Sequence, residues 1–308
     1  MTTPTASSRP ENSTTVRTQR PLPFQLRAAR EGLRALSRVA PEGAAAIVER
    51  MFLSPRRHPR PQVERDLLRG ARTVALPTKH GRLAAWEWGT TGPRVLLVHG
   101  WEGRGSQLGA LAAPLVALGF RVVAFDTPGH GDSPGERSSF FHFADAIEAA
   151  TRVLGPFHAV VAHSMGGATL LWANRLVPVA ERFVMIAPPR DLGDFTRSFS
   201  KLLGLPEDVR ARVHRRIGAR FGVSVEAVRA EPLASGMRGP LLVVHDEEDR
   251  EVPVACGEAI AKAWPGAELV RTRGLGHQRI LRDPATLQLV ARFVAQPGTR
   301  DAARAEGA

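Results

Sequence analysis

Cysteine is almost absent from this chain: of its 308 residues only Cys256 carries a thiol. That excludes an intrachain disulfide framework and leaves no thiolate cluster for zinc or an iron–sulfur centre. A buried, inert thiol is the expected state of Cys256. Long apolar runs are missing as well. No stretch approaches the ~18 consecutive apolar residues that cross a bilayer, and segments such as Val95 to Val98 are strand-sized. The stretch Met1 to Arg20 is rich in Ser, Thr, Pro and Arg and lacks the apolar centre of a secretory signal. Residues 1–23 therefore read as a disordered tail of a cytoplasmic protein, and residues 299–308 as a second one.

Lysine is scarce too. Only Lys79, Lys201 and Lys262 are lysines, so 39 of the 42 basic residues are arginines. The formal charge of +12 would ordinarily raise nucleic acid or anionic membranes as partners. Here the arginines are scattered, no standard nucleic-acid module can be read, and the accompanying Ala, Gly and Pro fit a codon bias. No nucleic-acid partner is expected. The composition that remains is that of an ordinary globular protein, 43% hydrophobic and 23% charged. Its length suits one large α/β domain with a lid, or two small domains.

Residues 24–70 read as a helical extension followed by a linker. In Phe24 to Ala40, ended by Pro41, Ala29, Leu33, Leu36 and Ala40 share one helical face and Arg27, Arg30, Arg34 and Arg38 the opposite one. Such a helix docks on a protein core or lies on an anionic membrane surface; docking is the expectation and peripheral membrane contact the alternative. A short helix over Gly43 to Phe52 and an exposed Pro/Arg-rich linker from Ser54 to Pro61 follow.

Residues 71–298 form the main domain. Arg72 to Leu76 and Leu83 to Trp88 predict an antiparallel hairpin about a Pro77 to Arg82 turn. Apolar strands then alternate with helical stretches. The strands are Val95 to His99, Val122 to Asp126, Ala159 to His163, Phe183 to Ile186, Leu241 to His245 and Glu268 to Arg271. The helices are Leu108 to Leu118, Phe141 to Leu154, Met165 to Leu176, Gly257 to Ala263 and Ala285 to Ala295. This rhythm predicts an α/β fold with a mostly parallel sheet. Pro188 to Arg238 interrupts it with about fifty residues, far more than a plain crossover needs, and reads as a small helical lid at residues 188–238. The arginines of that stretch, Arg210, Arg212, Arg215, Arg216 and Arg220, read as a solvated face.

The chemistry concentrates after the strands. Ala159 to Gly167 sets Ser164 between a β-branched strand and a helix opened by small residues, the setting in which a serine hydroxyl can stand clear on a tight turn. Taken alone, the same stretch could be a helix N-cap. Leu241 to Pro253 brings five carboxylates, Asp246, Glu247, Glu248, Asp249 and Glu251, behind a buried strand. Gly274-Leu275-Gly276-His277 is a glycine-rich loop able to carry an imidazole over the sheet edge.

These segments together resemble the α/β-hydrolase superfamily over roughly Leu76 to Ala295. Ala162-His163-Ser164-Met165-Gly166 resembles its Gly-x-Ser-x-Gly elbow, with Ala162 in place of the first glycine. His99-Gly100-Trp101-Glu102-Gly103 looks like its His-Gly loop. Asp126-Thr127-Pro128-Gly129-His130-Gly131-Asp132-Ser133 resembles its Asp-x-Pro-Gly-His-Gly-x-Ser segment, in which His130 would be structural. The resemblance implies an α/β-hydrolase fold with helices on both faces of the sheet, a Ser164, Asp249, His277 triad, and an oxyanion hole made by the backbone N–H groups of Trp101 and Met165. Asp249 is favoured as the acid because its spacing to Val252-Pro253 matches the superfamily's Asp-x-x-Val-Pro, whereas Asp246 stands where a glycine is common; Asp246 is the alternative. Arg104, just beyond the His-Gly loop, is expected to face solvent. The implied activity is carboxylic-ester or thioester hydrolysis on a small-molecule acyl substrate, through an acyl-enzyme and with no metal or cofactor. A serine at the elbow and the absence of tyrosine argue against dehalogenase and epoxide-hydrolase chemistry. An acyltransferase using the same intermediate and a non-catalytic binding protein are the alternatives.

Overall fold

The computed structural model describes residues 24–296; the two expected tails, 1–23 and 299–308, lie outside the described residues. Helix α1 spans Phe24–Val39 and α2 spans Pro41–Phe52. Pro41 ends the first helix by opening the second: a proline disfavours helical backbone in the residue before it, here Ala40 with φ −145° and ψ 68°, yet suits a first helical position. The stretch 54–61 is irregular, and α3 at Gln62–Arg69 is a helix the sequence reading placed nowhere. Its eight residues are too few to show an apolar period, and its role comes from tertiary partners described below.

The opening hairpin is split in two. β1 (Arg72–Thr73) pairs antiparallel with β4 (Ala85–Trp88), whereas β2 (Leu76–Thr78) and β3 (Gly81–Leu83) form a small sheet of their own. The main sheet continues with β5 (Arg94–Val98), β6 (Arg121–Phe125), β7 (Phe157–His163), β8 (Ala180–Ile186), β9 (Leu241–Asp246) and β10 (Glu268–Thr272). Every strand expected between 95 and 271 is there, within a residue or three at each end. The order is β1-β4-β6-β5-β7-β8-β9-β10, parallel from β6 to β10.

The near-continuous apolar strands have a physical cause. Alternate residues of one strand enter different cores: Leu96 and Val98 join Val160 and Ala162 on one face, while Val95 and Leu97 join Ala159 and Val161 on the other. A sheet buried on both faces has no polar side to show. The first face is covered by α5 (Phe140–Leu154), α6 (Met165–Leu176) and α10 (Val254–Ala263), the second by α4 (Ala112–Ala117) and α12 (Pro284–Ala295). A 3₁₀ segment at Gly105–Leu111 precedes α4, so the helix expected at Leu108 to Leu118 is half 3₁₀.

Between β8 and β9 stand α7 (Leu192–Leu203), α8 (Glu207–Phe221) and α9 (Ala230–Ser235); the short α11 (Gly276–Arg279) follows β10. Gly204 and Gly222, at φ 64° and 69°, end α7 and α8 in the left-handed conformation that glycine reaches without strain. The insertion and the N-terminal helices share a third core, in which Leu33, Val48 and Phe52 meet Leu203, Val209, Val213 and Ile217. Each such aliphatic side chain contributes about 1.5–3 kcal/mol through burial. Helix α1 is thus docked through Leu33, with Arg27, Arg34 and Arg38 exposed. The arginine run of α8 is not simply a solvated face. Arg212 pairs with Glu42, and Arg216 and Arg220 grip the buried Glu49 of α2 at 2.6 and 2.7 Å.

Because β6 and β7 flank β5, the chain leaves β5 in one direction and returns on the other side. Such a switch opens a crevice at the carboxyl ends of the strands. The loops after β5, β7, β9 and β10 all end there.

Candidate active site

Ser164 links β7 to α6 with φ 51° and ψ −126°, a backbone state that costs a non-glycine residue of order 1–3 kcal/mol. The surrounding chain over-determines it. A Cβ on Gly100 would lie 2.8 Å from the Ser164 Cβ, and one on Gly166 would lie 2.7 Å from the His99 carbonyl. Ala162 is different: it sits inside β7 with Val98 and Met185 as neighbours across the sheet, fully buried, and its methyl group has room in the core. The elbow therefore accepts alanine at its first position and only glycine at its last.

His277 Nδ1 donates to Asp249 Oδ2 at 2.7 Å, and both side chains are almost wholly buried. The other Asp249 oxygen accepts the N–H groups of Glu251 and Val252 at 2.8 and 2.9 Å. Burial would raise the pKa of Asp249, but hydrogen bonds from His245, His277 and the Val252 N–H outweigh it and hold the carboxyl well below the usual range. Asp246 does something else. It accepts from Thr272 Oγ1 at 2.8 Å and from the Leu275 and Glu248 N–H groups at 3.0 Å, tying the β10 loop that carries His277 to the end of β9.

Two further histidines, neither read as functional from sequence, brace this pair. His245 Nε2 donates to the Val252 carbonyl at 2.9 Å and lies 3.5 Å from Asp249 Oδ2. His163 Nε2 donates to the His277 carbonyl at 3.0 Å, and their rings approach to 4.6 Å. Burial, and then the neighbouring His277, push the His163 pKa down to about 3, so it holds the loop as a neutral ring. The only sequence signal for these roles was their place directly before Ser164 and Asp246.

On the β5 side, His99 Nδ1 donates to the Gly100 carbonyl at 2.7 Å while Nε2 accepts from the Thr127 N–H at 3.0 Å, which joins the His-Gly loop to the loop after β6. His130 packs beneath Trp101 with centroids 5.2 Å apart; burial lowers its pKa to about 4, and its Nδ1 lies 3.1 Å from the Pro128 carbonyl. It occupies a structural position. Asp126 anchors the same loop through the N–H groups of Gly105 and Asp132, and burial raises its pKa to about 6. The Trp101 N–H donates to no acceptor among the described residues, and the Met165 N–H opens α6, where no carbonyl of a preceding turn is available.

Ser164, His277, Trp101 and Met165 line one cavity of about 340 Å³, closed also by Glu102, Pro189, Phe195, Glu251 and Val252. No hydrogen bond joins the Ser164 hydroxyl to His277 among the described residues; both line the same cavity. Such contacts are often long until substrate is bound. Arg104, expected in solvent, is buried and held by both oxygens of Glu64 from α3, at 2.6 and 2.9 Å. Cys256 is buried, as expected, and burial raises its pKa. Among the described residues no cluster of three or more His, Cys, Asp or Glu side chains could hold a metal, and no helix is long and apolar enough to cross a membrane.

The chain is similar to known proteins. The chain is 28% identical over 252 residues to the pimeloyl-[acyl-carrier protein] methyl ester esterase of Xanthomonas campestris, covering 66% of this chain and 96% of that protein. It is 27% identical over 240 residues to the enzyme of that name from Aromatoleum aromaticum, covering 62% and 94%. The Pyrococcus furiosus esterase Pf2001 superposes with a TM-score of 0.58 at 18% identity, over 78% of this chain and 98% of that one, a likeness of fold. The model of the Alpha/beta hydrolase family matches residues 95–288. Fold, strand-end loops and this match over more than half the chain lead to one conclusion: the chain belongs to the alpha/beta hydrolase family.

Proposed function

We propose that the protein is a serine esterase that hydrolyses small or medium acyl esters through an acyl-enzyme. Ser164 Oγ attacks the acyl carbonyl carbon as His277 Nε2 takes the hydroxyl proton. The negative charge on the former carbonyl oxygen is met by the N–H groups of Trp101 and Met165, each such donor contributing ~3 kcal/mol to the transition state. Collapse expels the alcohol, which receives the proton from His277. Water, activated by the same imidazole, then releases the acid and restores Ser164. Asp249 keeps the proton of the neutral ring on Nδ1, which leaves Nε2 free to accept.

The observation that carries this reading is the 2.7 Å bond from His277 Nδ1 to a buried Asp249, on the wall of the cavity that Ser164 also lines. The names of the related proteins support ester hydrolysis. A cavity of about 340 Å³, walled by Trp101, Met165, Pro189, Phe195 and Val252 together with polar side chains, suits small or medium acyl groups. The test is labelling by a fluorophosphonate probe: the purified protein should label and Ser164→Ala should not. An unlabelled protein, or a Ser164→Ala variant that still labels, overturns the reading. p-Nitrophenyl esters and acyl-thioesters of graded length then locate the preferred chain. Added alcohol or amine acceptors that divert product would make the protein a transferase.

A further inference from the structure

The segment running from the last residue of α2 toward α3 precedes the region matched by the family, yet it clasps the loop that carries Trp101. The Phe52 ring stacks on Trp101 with centroids 6.3 Å apart and planes at 20°. The Arg56 guanidinium donates to both oxygens of Glu102 at 2.8 to 3.1 Å, and the Arg56 N–H adds a bond of 3.2 Å. His58 Nε2 lies 3.6 Å from the same carboxylate. Among the described residues the Glu102 carboxylate has no hydrogen-bond or ion-pair partner outside this segment.

What makes the clasp consequential is the backbone. Gly100 to Gly103 form a tight turn closed by the Gly103 N–H on the Gly100 carbonyl at 3.1 Å, with Trp101 and Glu102 at its corners. Glu102 has φ 55°, at the turn position that glycine or asparagine ordinarily fills. Unclasped, such a turn relaxes by flipping its central peptide, the one joining Trp101 to Glu102, next to the Trp101 N–H. The carboxylate of the glutamate that stands there is held by Arg56.

We propose that residues 52–58 are a strap that sets the oxyanion loop, with Arg56 a positioning residue that acts through Glu102. The proposal rests on the reading of Trp101 as an oxyanion donor. The Arg56 side chain is 77% exposed, so truncating it leaves the cores intact.

The test compares the full-length protein with Arg56→Ala, measuring kcat and KM on a p-nitrophenyl ester and the affinity of a boronic acid that forms a tetrahedral adduct on Ser164. In Arg56→Ala, kcat should fall about tenfold and the boronic acid should weaken by a similar factor, with KM within about twofold and the melting temperature nearly unchanged. Arg56→Lys should recover little, because an ammonium cannot grip both oxygens. In a Glu102→Gly background, which removes the strained side chain, Arg56→Ala should cost less than about twofold. Unchanged kcat and unchanged boronic-acid affinity, or a rise in KM alone, overturn the strap. If the parent protein neither labels nor turns over esters, it is the serine-esterase reading that fails. Amide hydrogen exchange of residues 100–103 tests the strap in that case too: faster exchange in Arg56→Ala supports it, and equal exchange overturns it.

Discussion

The carboxyl edge of the sheet and the helical cover above it are built by different means. At the edge, Ser164, His277 and Trp101 are placed by strand ends, by glycines that leave no room for a methyl group, and by buried neutral histidines. In the cover, α1 and α2 join α7 and α8 through one apolar cluster and through arginine–glutamate pairs that water reaches. The contrast teaches that the proposed chemistry depends on backbone geometry, which tolerates little, whereas the cover depends on side-chain contacts that can be exchanged for others. The strap is where the second kind of interaction reaches the first.

The largest expected effect separates two carboxylates at the edge. Asp249→Asn should lower kcat by roughly 10³–10⁴-fold, since His277 loses the acceptor that sets its tautomer. Asp246→Asn, which loosens a loop and leaves the bond to His277 in place, should cost far less; steady-state turnover on one ester decides, and the reverse ranking would move the acid. Gly100→Ala should come next, with a loss of about 10²-fold in kcat. Its added methyl would stand 2.8 Å from the Ser164 Cβ and must displace the elbow or the Trp101 loop.

Acid should strike the edge before the cover. Burial lowers the pKa of His130 to about 4, that of His163 to about 3, and that of His99 well below its ordinary value. A histidine with a depressed folded pKa is neutral in both states above about pH 6.5; below that the unfolded chain binds the proton first. The stability is therefore fully present above about pH 6.5 and is lost as pH falls toward 4. Asp126, raised by burial to about 6, works the other way and offsets part of the loss, because its protonation favours the folded chain over the same range. Melting temperatures from pH 8 to 4 should be flat and then fall, and a midpoint that rises on acidification would contradict this account.

The smallest effect belongs to the cover. Glu49→Ala removes the carboxylate shared by Arg216 and Arg220 and should cost about 1.5–3 kcal/mol, because the partly exposed guanidinium groups recover water. Its kcat in the cold should be nearly that of the parent. Denaturant unfolding measures the first and an ester assay the second.

The same difference decided what could be read in the chain. The strands from Val95 to Val244 were legible because burial on both faces leaves an apolar run. The residues proposed for catalysis were legible because each must follow a strand in a loop of restricted chemistry. Helix α3 was not legible, since a single turn or two carries no period, and its use lies in Glu64 reaching Arg104 forty residues away. The arginines of α8 looked solvated because their acceptors, Glu42 and Glu49, belong to another helix far away in the chain. Arg104 was misread for the same reason.

The sequence by itself determined the alternation of strand and helix, the elbow around Ser164 and the order of the residues that follow it. These are local matters of periodicity, of turn chemistry and of small residues at fixed offsets. Only the tertiary structure decided which of two neighbouring aspartates meets His277, and that an N-terminal segment clasps the loop carrying Trp101. A carboxylate's task is set by what it faces at about 3 Å, and such a partner, brought by sheet order and helix packing, has no fixed distance along the chain.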